Sequence, residues 1–206
     1  MKNKVQFLNL GKQPITNNFL IKKNPKKEFF YNLKLILYNK SKLVSLAKFV
    51  QPKKMFNKKY AHRASESKTM SLAYSDLAKS IKNKFKPKSI LEIGSNDGVF
   101  IKHFKKIKNL GVEPCKNLAR ITAKIGIKTY DEFWTFKTAK KIVNQIGKIE
   151  VIYSANTISH IHNLDETFRA INNSLNNNGI FILEDPSLFE VIKNTSYDQF
   201  YDEHAY

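Results

Sequence analysis

The stretch Ser89-Ile-Leu-Glu-Ile-Gly-Ser-Asn-Asp-Gly98 constrains this chain more than any other. A short apolar run, Ile90, Leu91 and Ile93, stops at Gly94. Gly98 then opens a second apolar pattern, Val99, Phe100, Phe104 and Ile107, at helical spacing. The periodicity predicts a strand, a tight glycine turn and a helix. Glycine is needed where the backbone turns sharply or lies close against a ligand. Nineteen residues after Gly94, Leu110-Gly-Val-Glu113 reads as a second short strand ending in a carboxylate. A carboxylate at the tip of the second strand can accept both hydroxyls of a ribose, the logic of dinucleotide-binding sheets.

The glycine turn is a weak signal by itself, because it lacks the middle glycine of a dinucleotide fingerprint. Glu92 sharpens it. An acidic residue before the first glycine, with Ser95, Asn96 and Asp97 inside the turn, suits a cationic ligand better than a pyrophosphate. S-adenosylmethionine has the matching chemistry: a ribose, an amino acid end, a sulfonium charge and no phosphate. A NAD-type site and a plain structural turn are the competing readings.

Elsewhere the chain alternates. Ala73, Leu77, Ile81 and Phe85 give one apolar helical face from Ser71, stopped at Pro87. After the first two strands, Leu118, Ile121 and Ile125 mark a helix, and Ile127 to Tyr130 a third strand. A helix through Phe136, Ala139, Val143 and Ile146 leads to a fourth strand, Val151 to Ser154. Leu164, Phe168, Ile171 and Leu175 line a helix expected to stop at Asn176-Asn-Asn-Gly179, before a fifth strand, Ile180 to Leu183. Five strand–helix alternations predict an α/β fold, a parallel doubly wound Rossmann-like sheet over residues 71–206. Its ligand belongs beyond the C-terminal strand ends, which carry Glu92 to Gly98, Glu113, Asn156 and Glu184. Residues 1–70 form a small β-rich or irregular domain, with Leu33 to Leu37 alternating as a strand and Pro25 and Pro52 in loops. Such a sheet usually continues into a closing hairpin after its fifth strand. Only about 22 residues follow here, so the domain is expected to be truncated.

No run of 18 or more apolar residues exists, and no signal-peptide core follows Lys2 and Lys4, so a cytoplasmic protein without membrane attachment is expected. Cys115 is the only cysteine, which excludes an internal disulfide and a cysteine-built zinc site. The formal net charge is +19, yet 33 of the 36 basic residues are lysine. Scattered lysine with scarce arginine fits an AT-rich coding bias better than base readout or phosphate forks. An anionic small substrate and nucleic acid are the alternatives that charge alone supports.

A second group of chemistry-bearing residues lies around the fourth strand and near the end of the chain. Ser154-Ala-Asn156-Thr-Ile-Ser-His160-Ile-His162 is the first part; Tyr197-Asp198-Gln-Phe-Tyr201-Asp202-Glu203-His204 is the second. Histidine titrates near neutrality and serves as a general base, and a nearby carboxylate orients it. Tyrosine can donate to a developing enolate oxygen. Methyl transfer to carbon needs such help, because the carbon nucleophile exists only after a proton beside a carbonyl has been removed. Taken singly, His62, His103 and His160 are more readily read as loop or capping histidines than as catalysts, and the terminal segment as a solvated tail.

These motifs together resemble the sugar C-methyltransferases, S-adenosylmethionine enzymes that methylate nucleotide-linked deoxy-4-keto sugars. The resemblance runs through Phe7-Leu-Asn-Leu-Gly11-Lys-Gln-Pro14-Ile-Thr-Asn17-Asn-Phe19-Leu20, Met55-Phe56 with Tyr60, and Ser65 with Ser67. It continues through Leu91 to Gly98, Gly111-Val-Glu-Pro114, Asn156 to His160, and Tyr201 with Glu203-His204. It implies a zinc-binding-like N-terminal domain, a central Rossmann-like domain and a second Rossmann-like domain beyond it. It further implies that His204 removes the proton beside the ketone, with Tyr201, Glu203, His160 and Tyr60 around the sugar. Glu92, Gly94, Ser95, Asn96, Asp97, Gly98 and Glu113 would hold the donor, bordered by Asn156. In-line attack of the enolate on the sulfonium methyl would complete the transfer.

Departures accompany the likeness. The second of the family's two Cys-x-x-Cys pairs falls at Tyr38 and Ser41, and the first lies ahead of Phe7, so zinc is not expected. The usual Tyr-x-Tyr-x-Ser-Ser block has His62 as its second tyrosine, and the first histidine of Tyr-His-Glu-His is Asp202. With the C-terminal acceptor domain also expected to be missing, two further readings stand beside the enzyme: a remnant that at most binds S-adenosylmethionine, and a nucleic-acid methyltransferase.

Overall fold

The computed structural model describes residues 3–20, 28–196 and 200–206. Lys2, Pro25, Tyr197 and Asp198, singled out above, lie outside the described residues.

Two sheets organise the chain. An antiparallel sheet joins β1 (Lys4–Pro14), β2 (Phe30–Tyr38) and β3 (Val44–Leu46). Its inner face buries Leu33, Leu35 and Leu46. The alternation that predicts a strand at Leu33 to Leu37 extends three residues earlier, through Phe30.

A short helix α1 (Pro52–Met55) and a 3-10 turn at Ala64–Glu66 lead to α2 (Lys68–Phe85). Ser67 caps α2 by accepting from the Met70 amide, and Lys86 ends it in the left-handed region just before Pro87. The buried stripe is Tyr74, Ala78 and Ile81, with Leu77 and Phe85 at its margins. Ala73, expected on the apolar face, is exposed. The larger Tyr74 ring beside it takes the inward position, and the stripe shifts by one residue.

The second sheet is parallel, in the order β6-β5-β4-β7-β8. Its strands are β4 (Ser89–Ile93), β5 (Lys108–Val112), β6 (Lys128–Tyr130), β7 (Ile149–Ala155) and β8 (Leu175–Glu184). Helices α3 (Lys116–Lys124), α4 (Phe136–Ile146) and α5 (Leu164–Ser174) make crossovers, and α6 (Leu188–Lys193) follows the last strand. All five residues of the central β4 are buried, as a parallel strand covered on both faces requires. One face packs on Trp134, Ala139, Ile142, Ala170 and Ile171; the other packs on Tyr74, Ala78, Ile81, Phe100 and Phe104. The strand order reverses beside β4, which places a crevice between β5 and β7 at their C-terminal ends. No helix among the described residues is long and apolar enough to cross a membrane.

Two local expectations fail. Gly98 is followed by a 3-10 turn at Ile101–Phe104 rather than a full helix. Val99, Phe100, Ile101 and Phe104 are buried while Lys102, Lys105 and Lys106 face solvent, and the chain must enter β5 at Lys108, which leaves room for only a short turn. Gly179 does not cap α5. That helix stops at Ser174; Leu175 is extended and already pairs with Ile149, so Gly179 lies within β8.

The last residues, 200–206, form a strap between the two sheets. Leu46 of β3 donates to the Ala205 carbonyl at 3.0 Å, and the Ala205 and Tyr206 amides both donate to the Ser159 carbonyl, at 2.8 and 3.2 Å. The Tyr206 hydroxyl donates to the His162 carbonyl at 2.7 Å.

Gly111 on β5 lies so near the turn after β4 that an added Cβ would stand 2.4 Å from Ser95 Oγ, and Ser95 is buried. Gly111→Ala is expected to cost roughly 1–3 kcal/mol in denaturant unfolding. Adding Ser95→Gly should return a large part of that loss, and no recovery in the double variant would refute the steric account.

Candidate functional site

A cavity of about 790 Å³ opens at the C-terminal ends of the parallel strands. One side of it is the turn after β4. Gly94 has φ of +72°, and a Cβ there would lie 2.1 Å from Thr157 Oγ1, so only glycine fits. The Gly94 and Ser95 amides donate to the Val112 carbonyl at 2.8 and 3.2 Å, wedging the turn against β5. Glu113, just past β5, is buried and accepts from the Asn96 amide at 2.9 Å and the Cys115 amide at 2.8 Å. Each carboxylate oxygen is thus held by one backbone donor and keeps a lone pair for a ligand hydroxyl.

Glu92 is buried beside this turn, and its Oε2 has no hydrogen-bond partner. Burial, then the nearby charges of Glu113 and Asp97, push its carboxyl well above the usual range, although a bond from the Ile101 backbone opposes the shift. Burial also raises Glu113, against the pull of its two backbone donors. Three buried carboxylates therefore crowd one turn, and the guanidinium of Arg63, 3.5 Å from Asp97, is the cation beside them among the described residues. Such a site disfavours a phosphate and favours a positive ligand.

The opposite wall carries the second group. His160 and His204 stack with ring centroids 4.9 Å apart, Tyr201 lies 4.3 Å from His204, and Phe56 covers the far face of His160 at 5.5 Å. His160 Nε2 is buried without a partner. Desolvation, reinforced by His204 and His62, pushes its pKa down to about 3, so the imidazole is neutral at neutral pH. Glu203 is buried, accepting from Tyr60 Oη at 2.9 Å and Asn17 Nδ2 at 2.7 Å. Desolvation raises its carboxyl and these two donors pull it back.

The cavity thus brings together Glu92, Gly94, Ser95, Asn96, Glu113 and Asn156 with Tyr60, His160, Tyr201, Glu203 and His204. Asp97 and Gly98, expected at the donor, are not among its lining residues. Asp97 turns away to accept from Ser65 Oγ at 2.5 Å and from the Ser65 amide, and an added Cβ at Gly98 would meet Thr122. Both shape the turn from behind. His62 lines the cavity and His103 does not. Trp134 and Tyr74 also line it and were not singled out from the sequence; Phe56 and Thr157 line it too, and the sequence motifs contained them without giving them a role. Trp134 had a readable signal: it follows the third strand, at the ligand-bearing sheet edge. Among the described residues, no group of three or more His, Cys, Asp or Glu side chains is placed to hold a metal.

Residues 60–205 match the model described as "Methyltransferase domain", and the chain belongs to this family. Residues 1–56 match a model described as "Putative zinc binding domain". Those 56 residues contain neither cysteine nor histidine, so they do not fit zinc. Among curated proteins, the C-methyltransferase NovU of Streptomyces niveus is 28% identical over 117 residues, 56% of this chain and 28% of that protein. The chain therefore matches well under half of this relative's length. Two solved structures share the fold. The plantazolicin methyltransferase BpumL, in complex with SAH and a substrate analogue, has a TM-score of 0.51 at 17% identity, over 68% of this chain and 56% of that one. An S-adenosylmethionine-dependent methyltransferase from Archaeoglobus fulgidus has a TM-score of 0.51 at 15% identity, over 63% and 60%.

The Glu92 carboxyl sets a pH signature. Its folded-state pKa lies above the ordinary 4.5, so its contribution to stability is fully present below that pH and is lost as pH rises through the raised value. Glu92→Gln removes this loss. In ligand-free protein the melting temperature of Glu92→Gln minus that of wild type is expected to increase from pH 5 to pH 8. A difference independent of pH would show that Glu92 ionises in the folded chain as it does in water.

Proposed function

We propose that the chain is an S-adenosylmethionine-dependent C-methyltransferase that acts on a nucleotide-linked keto-deoxysugar. The observation that carries this reading is the single cavity lined both by the acidic glycine turn and by the Tyr-x-Glu-His group. Membership of the methyltransferase-domain family and the likeness to a C-methyltransferase support it.

The residues present fit the donor. Glu113, held by two backbone donors, is arranged to accept ribose hydroxyls. Gly94 leaves space that any side chain would fill, and the unpartnered Glu92 oxygen is an acceptor whose ionisation a bound cation would favour. Ser95, Asn96 and Asn156 border the same space, with Asp97 and Gly98 supporting the turn. When bound, S-adenosylmethionine supplies an electrophilic methyl group on sulfur and no base.

The base must come from the protein. His204 takes the proton from the carbon beside the ketone, leaving an enolate as the carbon nucleophile. Tyr201, packed on His204, supplies a phenol toward the oxyanion that develops, while the single Tyr60 hydroxyl proton is given to Glu203. Glu203 orients Tyr60 through their 2.9 Å hydrogen bond. His160, kept neutral by burial, adds no competing positive charge next to His204. Oxygen or nitrogen acceptors would need less of this machinery, and so its presence favours carbon.

His204→Asn is expected to lower turnover of a nucleotide-linked 4-keto-deoxysugar at least a thousandfold, as loss of a general base does. Calorimetric affinity for S-adenosylmethionine should stay within about threefold of wild type, since His204 is across the cavity from the donor turn. Glu113→Ala should reverse the pattern and weaken donor binding at least tenfold, the equivalent of about 1.4 kcal/mol. Full turnover in His204→Asn would remove the base assignment. A folded wild-type chain that binds no S-adenosylmethionine would remove the whole reading.

A further inference from the structure

The N-terminal sheet reaches into the cavity at one point. Directly after β1, the consecutive residues Thr16 and Asn17 grip the consecutive residues Asp202 and Glu203 of the strap, 186 positions away. The Thr16 amide and Oγ1 both donate to Asp202 Oδ1, at 3.0 and 2.6 Å, and Asn17 Nδ2 donates to Glu203 Oε1 at 2.7 Å. Asp202 and Glu203 are each about 1% exposed, although Thr16 is exposed and Asn17 only half-buried. Two acids on a short terminal segment are thus buried against a pair of donors from another sheet.

We infer that Asn17 is a positioning residue for the proposed reaction: it holds the Glu203 carboxylate so that Tyr60, and through the strap Tyr201 and His204, face the acceptor. This assignment rests on the methyltransferase reading and extends it, because it gives the N-terminal sheet a direct part in the site without any metal.

The chemistry is specific to an amide. Asn17 Nδ2 is a donor that cannot ionise, so it satisfies Glu203 Oε1 at every pH and favours the carboxylate over the acid. Tyr60 does the same for Oε2. Burial and the charge of Asp202 act in the opposite direction. Cys115, just before α3, Tyr201 on the strap and Tyr31 of β2, which faces Asp202, are further titratable groups against this cluster, and none of these three brings positive charge. Take away Asn17 and Glu203 is left with one donor against an adjacent acid. The carboxyl should then hold its proton to higher pH, and a protonated Glu203 competes for the Tyr60 hydroxyl instead of only accepting from it.

Two variants of the full chain test this, Asn17→Ala and the isosteric Asn17→Asp. Partial exposure of Asn17 lets both fold, which circular dichroism and calorimetric donor binding would verify. The Glu203 carboxyl is followed by carbon NMR of protein labelled at glutamate side chains, assigned with Glu203→Gln. Asn17→Ala should raise the Glu203 pKa by about one unit, and Asn17→Asp by more, since it adds a like charge. In turnover assays kcat should fall about tenfold or more in Asn17→Ala while the acceptor KM stays within about threefold. The acid limb of the pH–rate profile should move up with the Glu203 titration. A Glu203 titration that stays in place in both variants overturns the assignment; so does one that moves while kcat does not. The titration needs no acceptor. A wild-type chain that never turns over would count against the methyltransferase reading alone, whereas an unmoved Glu203 would count against Asn17.

Discussion

Close approach of the β4 turn to its neighbours governs this structure. Gly94 sits in left-handed backbone with no room for a Cβ beside Thr157, and Gly111 leaves the matching space for Ser95 on the other side. Two turn amides anchor to the Val112 carbonyl. Because β5 and β7 flank β4 at the point where the strand order reverses, this wedge fixes the crevice between them. The depth of the cavity, the position of Glu113 and the approach of residues 156–160 all follow from it.

The same wedge concentrates charge. A parallel strand buried on both faces has no solvated side for a carboxylate, so Glu92 is desolvated by the fold itself. Asp97 finds Ser65 and Arg63 through one oxygen, and Glu113 finds two backbone amides, but a Glu92 oxygen and the second Asp97 oxygen find nothing. An uncompensated buried acid costs stability in the empty protein. It is tolerable where a positive ligand offsets it, and a neutral thioether product would not.

Facing this acidic turn is an aromatic wall. His160, His204, Tyr201 and Phe56 stack in succession, and burial rather than a carboxylate partner keeps His160 uncharged. The wall is assembled from three distant segments: the loop before α2, the turn after β7, and the strap. Hydrogen bonds from Leu46, Thr16 and Asn17 to the strap let the N-terminal sheet share in this assembly. A sheet without zinc ligands thereby has a structural use at the cavity, through hydrogen bonding instead of coordination.

Much of this was legible in the residues. Short apolar runs located all five strands of the second sheet, and parallel pairing puts their C-terminal ends on one edge. Glu92, Gly94, Glu113 and Asn156 consequently had to meet there whatever the details of packing. Periodicity reports which face of an element is buried, however, and not what covers it. It could not show that residues 101–104 close into a 3-10 turn short of β5, nor that Gly179 lies within a strand already begun at Leu175. Nor could it show that Asp97 turns back to Ser65, that Trp134 walls the cavity, or that Thr16 and Asn17 hold Asp202 and Glu203. By itself the sequence determined the order of elements and the chemical groups at the sheet edge, because these depend on local hydrophobic spacing and parallel pairing. The pairing of those groups was decided only in the tertiary structure, since hydrogen bonds between residues 186 positions apart depend on how two sheets pack and leave no periodic trace.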